Sequence, residues 1–226
     1  SQKPKSLITE AYRAVRVSLL FAFPEDRPLK IIMVTSSLPQ EGKSFISANL
    51  SQAFCQMNER IVLIDMDMRR PKTHKAFNFD LKPGLSDFLA GSLTSDAIIR
   101  KTLVSNLSVI TAGTIPPNPS ELLLSGKIHV LLDELRAKYD RIIIDSPPVL
   151  SVPDTSILAS IADGAVLVIR GAYTRLEAVV KAKQKILESK GKIIGVIVNN
   201  IRPEKEDSYY YYHYYYAEEE KSKKKT

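Results

Sequence analysis

The stretch IIMVTSSLPQEGKS, residues 31–44, decides the fold of this 226-residue chain. Its first part, Ile31–Thr35, is short and almost continuously apolar, which is typical of a strand buried on both faces. The part from Ser37 to Ser44 has the spacing of the phosphate-binding loop G-x-x-x-x-G-K-[ST], with serine in place of the first glycine. A helical pattern, Ser44–Met57, follows directly. A strand, a loop of this kind and a helix in this order predict a nucleotide-binding site.

The residue types in this loop suit the chemistry of a bound phosphate chain. Gly42 lets the backbone approach the phosphates closely, because it has no Cβ. Lys43 reaches the β- and γ-phosphates, and the hydroxyl of Ser44 is a ligand for Mg²⁺. Backbone N–H groups of the loop and of the helix N-terminus point at phosphate oxygens. We therefore expect the nucleotide to contact Glu41, Gly42, Lys43, Ser44 and Phe45.

Strand and helix patterns alternate along the rest of the chain. Five further predicted strands are short and β-branched: Ile61–Asp65, Leu107–Thr111, Arg141–Asp145, Gly164–Arg170 and Lys192–Asn199. Helical patterns cover Pro119–Lys138, Pro153–Ala162 and Arg175–Lys190, and an amphipathic segment, Ser6–Phe23, precedes the first strand. This alternation predicts an α/β fold of the P-loop NTPase type, with a mostly parallel sheet and helices on both faces.

Three aspartates end predicted strands. Asp65 and Asp67 close the second strand, and Asp145 closes the strand that begins at Arg141. Ligands of an open parallel sheet bind beyond the C-terminal strand ends, so we expect these carboxylates near Lys43, where Mg²⁺ needs oxygen ligands. The alternative for each single aspartate is a helix cap or a turn. Asn199 follows the last strand, where it either contacts adenine, as in related nucleotide-binding folds, or forms a turn.

The charge and the tyrosines are unevenly distributed. The net charge is +7, which by itself suggests nucleic acid or an anionic membrane as a partner. Residues 202–226 hold six basic and six acidic residues, so the whole excess lies in residues 1–201. Seven of the ten tyrosines lie between Tyr209 and Tyr216, in a low-complexity segment that we predict to be a flexible tail.

Together these motifs resemble the bacterial tyrosine kinases, the cytoplasmic kinase domains of capsular and exopolysaccharide co-polymerases. The resemblance covers about residues 4–216. It rests on the segments similar to the Walker A, A′ and B motifs of that family, which are Ser37–Ser44, Ile61–Pro71 and Ile142–Pro148. Residues 84–91, 112–122 and 146–150, together with Asp154, match as well. The N-terminal Glu10-x-x-Arg13-x-x-Arg16 resembles the oligomerisation motif of the family, and the tyrosine-rich end resembles its autophosphorylation cluster.

The resemblance implies a site for ATP and Mg²⁺ with a set of catalytic residues. These are Lys43, Asp65, Asp67 and Asp145. Asp65 would lie nearest the incoming tyrosine hydroxyl, while Ser44, Asp67 and Asp145 would serve Mg²⁺. Arg69 and Arg70 either contact phosphate or the tail, or are a solvated surface pair.

The resemblance also implies how the chain is organised. Residues 1–201 would form the kinase domain, with an oligomerisation helix region in 1–28, and residues 202–226 would be the autophosphorylation tail. The predicted phosphoacceptors are Tyr209, Tyr210, Tyr211, Tyr212, Tyr214, Tyr215 and Tyr216. Glu10, Arg13 and Arg16 would join protomers in a ring, so that one protomer's tail is phosphorylated in trans by its neighbour.

The implied function is a tyrosine autokinase that regulates capsular or exopolysaccharide synthesis and export. Its partners would be further copies of itself, a membrane-embedded co-polymerase or activator segment, fused or separate, and other phosphorylated proteins. We expect the chain to be a soluble domain at the cytoplasmic side of the bacterial inner membrane, with no nucleic-acid partner. The alternative is a partition or cell-division ATPase that switches on DNA or membrane. Those proteins place a signature lysine at the second loop position, where this chain has Leu38.

Overall fold

The structure is a computed structural model, and it describes residues 7–22 and 29–201. The strands are β1 (Ile31–Ser36), β2 (Ile61–Asp65), β3 (Arg100–Lys101), β4 (Leu107–Ile110), β5 (Arg141–Asp145), β6 (Gly164–Arg170) and β7 (Ile193–Asn199). The longer helices are α1 (Leu7–Phe21), α2 (Lys43–Cys55), α7 (Lys127–Lys138), α8 (Asp154–Ile161) and α9 (Leu176–Glu188). The shorter helices are α3 (Thr73–Ala76), α4 (Leu85–Leu89), α5 (Ser95–Ile98) and α6 (Pro119–Leu124).

The strands form one seven-stranded sheet in the order β3-β4-β2-β5-β1-β6-β7. All neighbours are parallel except β3, which runs antiparallel to β4 at one edge. Every residue of β1, β2 and β4 is buried, as their almost continuous apolar sequences predict. The predicted mostly parallel α/β sheet is therefore confirmed.

Helices cover both faces of the sheet, as predicted. On one face Leu19 of α1 and Phe54 of α2 pack against the sheet. On the other face Leu131 of α7, Leu158 of α8 and Ile186 of α9 form a second apolar core. Full burial of one such side chain stabilises the fold by roughly 1.5–3 kcal/mol, so the two cores hold the strand ends in fixed positions.

The structure corrects the prediction of a single helix over Pro119–Lys138. Two helices cover this stretch, α6 and α7, and the chain turns between them at Gly126, which has a φ of 76°. A left-handed residue at this point ends the hydrogen-bond ladder of a helix, and glycine adopts that conformation without steric cost. The short strand β3 and the helices α3–α5 were not predicted, because elements of two to five residues carry no measurable period.

The strand order places the functional strand ends side by side. β5 lies between β2 and β1, and Asp65 of β2 is in register with Asp145 of β5. Asp145 is also in register with Val34 near the end of β1, where the phosphate-binding loop begins. Within residues 7–22 and 29–201, no helix combines the length and the apolar character needed to cross a membrane.

Candidate functional site

The phosphate-binding loop leads into the first turn of α2. Gly42 has a φ of 96°, and its carbonyl accepts the N–H of Ile46 at 3.0 Å, which is the first bond of the helix ladder. The N–H groups of Lys43, Ser44 and Phe45 precede that bond, so they have no acceptor inside the helix. Phe45 offers only its backbone here, because its ring is exposed to solvent. The loop thus presents a group of backbone donors suited to phosphate oxygens.

The side chain of Glu41 folds back onto the protein rather than toward the phosphate position. It is buried, and its carboxylate accepts the Leu38 N–H at 2.8 Å and the hydroxyl of Thr174. Thr174 lies in the loop between β6 and α9, so this contact ties that loop to the phosphate-binding loop. Thr174 was not predicted from the sequence, because no local pattern links it to Glu41.

Asn199 contacts the phosphate-binding loop directly. Its side-chain amide donates to the Glu41 carbonyl at 3.0 Å, and its side-chain oxygen accepts the N–H of Asn200. A Cβ at Gly42 would lie 2.1 Å from this amide nitrogen, so any other residue at this position would displace the Asn199 side chain. The structure therefore brings Asn199 to the predicted nucleotide site, where it braces the loop.

Lys43 lies among the predicted carboxylates. Its Nζ is 2.9 Å from Oδ2 of Asp67 and 3.7 Å from Oδ1 of Asp145. Burial lowers the pKa of Lys43, but the attraction of Asp145 and Asp67 outweighs burial, so the pKa is raised and the ammonium stays charged. The structure thus brings Lys43, Asp67 and Asp145 together at the C-terminal strand ends.

Asp65 is fully buried and binds the loop that follows β2. Its Oδ1 accepts the N–H of Asp67 at 3.1 Å, and its Oδ2 accepts the N–H groups of Lys72 and Thr73 at 3.1 and 3.0 Å. Burial, together with repulsion by Asp145, raises the pKa of Asp65 to about 7, against the opposing effects of the Thr73 N–H and Lys43. Its carboxylate thus holds residues 66–73 in place.

Thr73 joins two of the acidic residues. Its hydroxyl donates to Oδ2 of Asp145 at 3.0 Å, while its backbone N–H donates to Asp65. Burial raises the pKa of Asp145, although Lys43 and the hydroxyls of Ser44 and Thr73 counteract that rise. Sequence reasoning missed Thr73, because a threonine two residues after a proline resembles an ordinary helix start.

The oxygen groups near Lys43 fit the chemistry of Mg²⁺. Ser44, Asp67 and Asp145 supply a hydroxyl and two carboxylates, which are hard ligands of the type that Mg²⁺ prefers. Magnesium in nucleotide sites takes one or two carboxylates and completes its shell with phosphates and water. In the described part of the chain, no group of three or more His, Cys, Asp or Glu side chains is arranged to hold a metal ion.

Arg69 and Arg70, which were not distinguished by sequence, have different environments. Arg69 makes an ion pair with buried Asp154, with its Nε 2.8 Å from Oδ2. The side chain of Arg70 is exposed, and only its backbone N–H contacts the site, at 3.0 Å from Oδ1 of Asp67.

The predicted oligomerisation residues lie on α1 and make contacts within their own chain. Arg13 pairs with Glu10 at 2.5 Å and donates to the side chain of Gln56 at 3.2 Å. Arg16 donates to the carbonyl of Ala53 in α2 at 2.5 Å. The predicted phosphoacceptors lie in residues 202–226, outside the described residues.

Sequence comparison places the chain among known kinases. Residues 29–194 match a family model described as an AAA domain. The chain is 41% identical over 207 residues to the tyrosine-protein kinase YwqD of Bacillus subtilis, covering 92% of this chain and 87% of that protein. It is 36% identical to the tyrosine-protein kinase wzc of Salmonella typhimurium, of which it spans 27% of the length.

Structural comparison agrees and separates the two functional alternatives. The kinase domain of the Escherichia coli tyrosine kinase ETK superposes with a TM-score of 0.82 at 34% identity, covering 85% of this chain and 75% of that one. The septum site-determining protein MinD of Pyrococcus horikoshii, complexed with Mg-ADP, gives a TM-score of 0.63 at 25% identity, covering 75% and 69%. The shared P-loop fold, the higher similarity to the kinases and the match over nearly the full length of a kinase show that this chain belongs to the bacterial tyrosine kinase family.

Proposed function

We propose that this chain is an ATP-dependent protein-tyrosine autokinase that phosphorylates its own C-terminal tyrosine cluster. The observation that carries the proposal is the contact of Lys43 with Asp67 and Asp145 at the mouth of the phosphate-binding loop. Phosphoryl transfer needs positioning and charge neutralisation more than covalent participation by the protein. This cluster supplies both, and the family relationship supports tyrosine as the acceptor.

Each residue of the site has a proposed role in binding ATP. The donors of Gly42, Lys43, Ser44 and Phe45 hold the phosphate chain, and the Lys43 ammonium neutralises its β- and γ-oxygens. Ser44, Asp67 and Asp145 would hold Mg²⁺, which when bound neutralises further phosphate charge. In the structure the ammonium of Lys43 neutralises the charge of the carboxylates. When a metal cation neutralises that charge instead, the ammonium can contact the phosphates.

The acceptor hydroxyl has to lose its proton as the new P–O bond forms and the bond to ADP breaks. A tyrosine hydroxyl has a pKa near 10, so a carboxylate within reach assists by orienting or accepting that proton. Asp65 is buried and its oxygens are used by backbone donors. In place of the expectation that Asp65 lies nearest the acceptor, we propose that Asp65 holds the loop and that Asp67, whose side chain is 6% exposed, is the carboxylate nearest the acceptor.

The proposal also assigns a role to each part of the chain. Residues 1–201 form the kinase domain, and residues 202–226 supply the acceptors, from Tyr209 to Tyr216. We propose that α1 joins protomers, since Val17 and Phe21 expose apolar surface on this helix while Arg13 and Arg16 hold it against α2. In such an assembly the tail of one protomer reaches the site of its neighbour.

The proposed cellular setting is the synthesis and export of capsular or exopolysaccharide at the cytoplasmic side of the inner membrane. The chain spans 27% of the Salmonella kinase but 87% of the Bacillus kinase, so the kinase occurs both within long chains and as a short one. We propose that the additional part of the long relatives includes an activating membrane segment, and that this segment is a separate chain in other relatives. Phosphorylation of other proteins would use the same site.

A phosphosite map tests the proposal. The full chain is dephosphorylated, incubated with ATP and Mg²⁺, and analysed by mass spectrometry. We expect phosphotyrosine between Tyr209 and Tyr216, and its loss in Lys43→Met. The matched control is Lys183→Met, which removes an exposed lysine of α9 and should leave labelling unchanged. Absence of phosphotyrosine from the tail, or full labelling of Lys43→Met, would contradict the proposal.

A further inference from the structure

A buried aspartate fixes the orientation of Arg69. Asp154 lies in the first turn of α8 and is 1% exposed. Its carboxylate binds Arg69 at two points, with Nε 2.8 Å from Oδ2 and Nη2 3.2 Å from Oδ1. The hydroxyl of Ser120 donates to the same carboxylate. Bidentate pairing of this kind holds a guanidinium in one plane as well as neutralising its partner.

These contacts connect three separate segments of the chain at the C-terminal edge of the sheet. Arg69 belongs to the loop after β2, Ser120 to the start of α6 after β4, and Asp154 to the segment after β5. A carboxylate buried at this depth has to be paired, so the arginine is held firmly. The structure thus uses a buried charge to immobilise a side chain that is itself 37% exposed.

The guanidinium keeps free donors on its exposed side. Nε and Nη2 are used by Asp154 and Ser120, whereas Nη1 has no hydrogen-bond partner among the described residues. Arg69 follows Asp67 by two residues, and Asp67 binds Lys43. Arg69 therefore lies on the same loop as Asp67, next to the lysine that we propose to hold the end of the phosphate chain.

We propose that Arg69 binds the phosphate of a tyrosine that has already been phosphorylated, and thereby presents a neighbouring tyrosine to the site. A planar guanidinium with free N–H groups is the side chain best suited to a phosphate monoester. Seven tyrosines occupy the eight positions from 209 to 216, so every one of these acceptors has a tyrosine beside it. The inference rests on the proposed function. It predicts that later phosphorylations of the tail are faster than the first.

Peptide binding tests this inference without phosphoryl transfer. Two peptides with the sequence of residues 206–218 are used, one unmodified and one carrying a single phosphotyrosine. Each is titrated into the dephosphorylated full chain in the presence of Mg-ADP. We expect the phosphorylated peptide to bind about ten- to hundredfold more tightly, the range for a charge-assisted contact.

The variant Arg69→Gln/Asp154→Asn removes the cation but leaves a neutral hydrogen-bonding pair in place of an unpaired buried charge. We expect it to lose the preference for the phosphorylated peptide. Arg70→Gln is the matched control, because it removes the adjacent exposed arginine, and it should keep the preference. If the double variant does not fold, Arg69→Gln alone takes its place, since the glutamine amide can still donate to Asp154 but carries no positive charge.

Two results would overturn the inference. One is an unchanged preference in the folded Arg69 variant. The other is an affinity for ADP or ATP that falls in that variant as much as the affinity for the phosphorylated peptide, because Arg69 would then contact the nucleotide. Failure of the proposed function itself is distinguishable, since it shows in the phosphosite map and not in peptide binding.

Discussion

The hydroxyl of Thr73 donates to Asp145 at 3.0 Å, while the backbone N–H of the same residue donates to Asp65 at 3.0 Å. Thr73 thus connects the carboxylates that end two neighbouring strands, β2 and β5. All three residues are buried. The carboxylates of Asp65 and Asp145 are neighbours and are shielded from water, so they repel each other when charged. The hydroxyl and the N–H of Thr73 offset part of that repulsion. A single threonine therefore helps to orient Asp145, a proposed metal ligand, and Asp65, which holds the neighbouring loop.

Replacing Thr73 by valine is expected to weaken Mg²⁺ binding. Valine has the same shape but no hydroxyl, so Asp145 loses a donor that orients it. Loss of such an outer contact typically costs about 10–100-fold in metal affinity. Calorimetric titration of Mg²⁺ into the chain with bound ADP would measure this loss. Thr73→Ser restores the hydroxyl and should bind Mg²⁺ nearly as well as the original chain; equal behaviour of the two variants would argue against a role for the hydroxyl.

The stability of the metal-free chain is expected to depend on pH through Asp65. Its pKa is raised to about 7 in the folded state, mainly by burial, whereas an unfolded aspartate has a pKa near 3.9. Between about pH 4 and pH 7 the folded state therefore holds a proton that the unfolded chain has released. The free energy of unfolding should consequently fall as the pH rises through this window.

Urea denaturation in EDTA at several pH values measures this effect. Asp65→Asn is the comparison, because its amide does not titrate, and its unfolding free energy should fall less steeply over the same window. A slope identical in the two proteins would show that Asp65 ionises in the folded state as it does in the unfolded chain.

Asn199→Ala is expected to weaken ATP binding. The variant loses the bond from the side-chain amide to the Glu41 carbonyl, and the phosphate-binding loop gains freedom that binding then has to remove. One hydrogen bond of this kind contributes about 0.5–1.5 kcal/mol, which corresponds to about a 2- to 12-fold loss of affinity. Equilibrium binding of a fluorescent ATP analogue would detect it. Gln184→Ala, on the exposed side of α9, should leave the affinity unchanged, and equal affinities in all three proteins would exclude this bracing role.

Arg16→Ala is expected to destabilise the protomer itself. The guanidinium donates to the Ala53 carbonyl, so its removal weakens the contact between α1 and α2 and lowers the free energy of unfolding by about 1–3 kcal/mol. Denaturation at protein concentrations low enough to keep the chain monomeric measures this loss. Phe21→Ser is the comparison, because this exposed side chain should affect assembly in analytical ultracentrifugation with little change in protomer stability. If Arg16→Ala instead impaired assembly and left the stability of the protomer unchanged, Arg16 would act in the intersubunit contact alone.

Much of the fold was predictable from local sequence. The six longer strands are close to their predicted bounds, because a strand buried on both faces needs a short, almost continuous apolar run. The phosphate-binding loop was predictable for the same kind of reason, since its chemistry requires Gly42, Lys43 and Ser44 in consecutive positions. The break between α6 and α7 was not, because a glycine within a helical pattern gives no sign of whether it continues or ends the helix.

The sequence by itself determined the kind of sheet, the nucleotide loop and the strand-end carboxylates, because each depends on residues adjacent in the chain. Only the tertiary structure decided which distant residues complete the site. Thr73 reaches Asp145 across 72 positions, Thr174 reaches Glu41 across 133, and Asp154 holds Arg69 across 85. Such pairings arise when the strand order brings separate loops to one edge of the sheet, and no local pattern encodes which polar groups then meet in a space that water cannot enter.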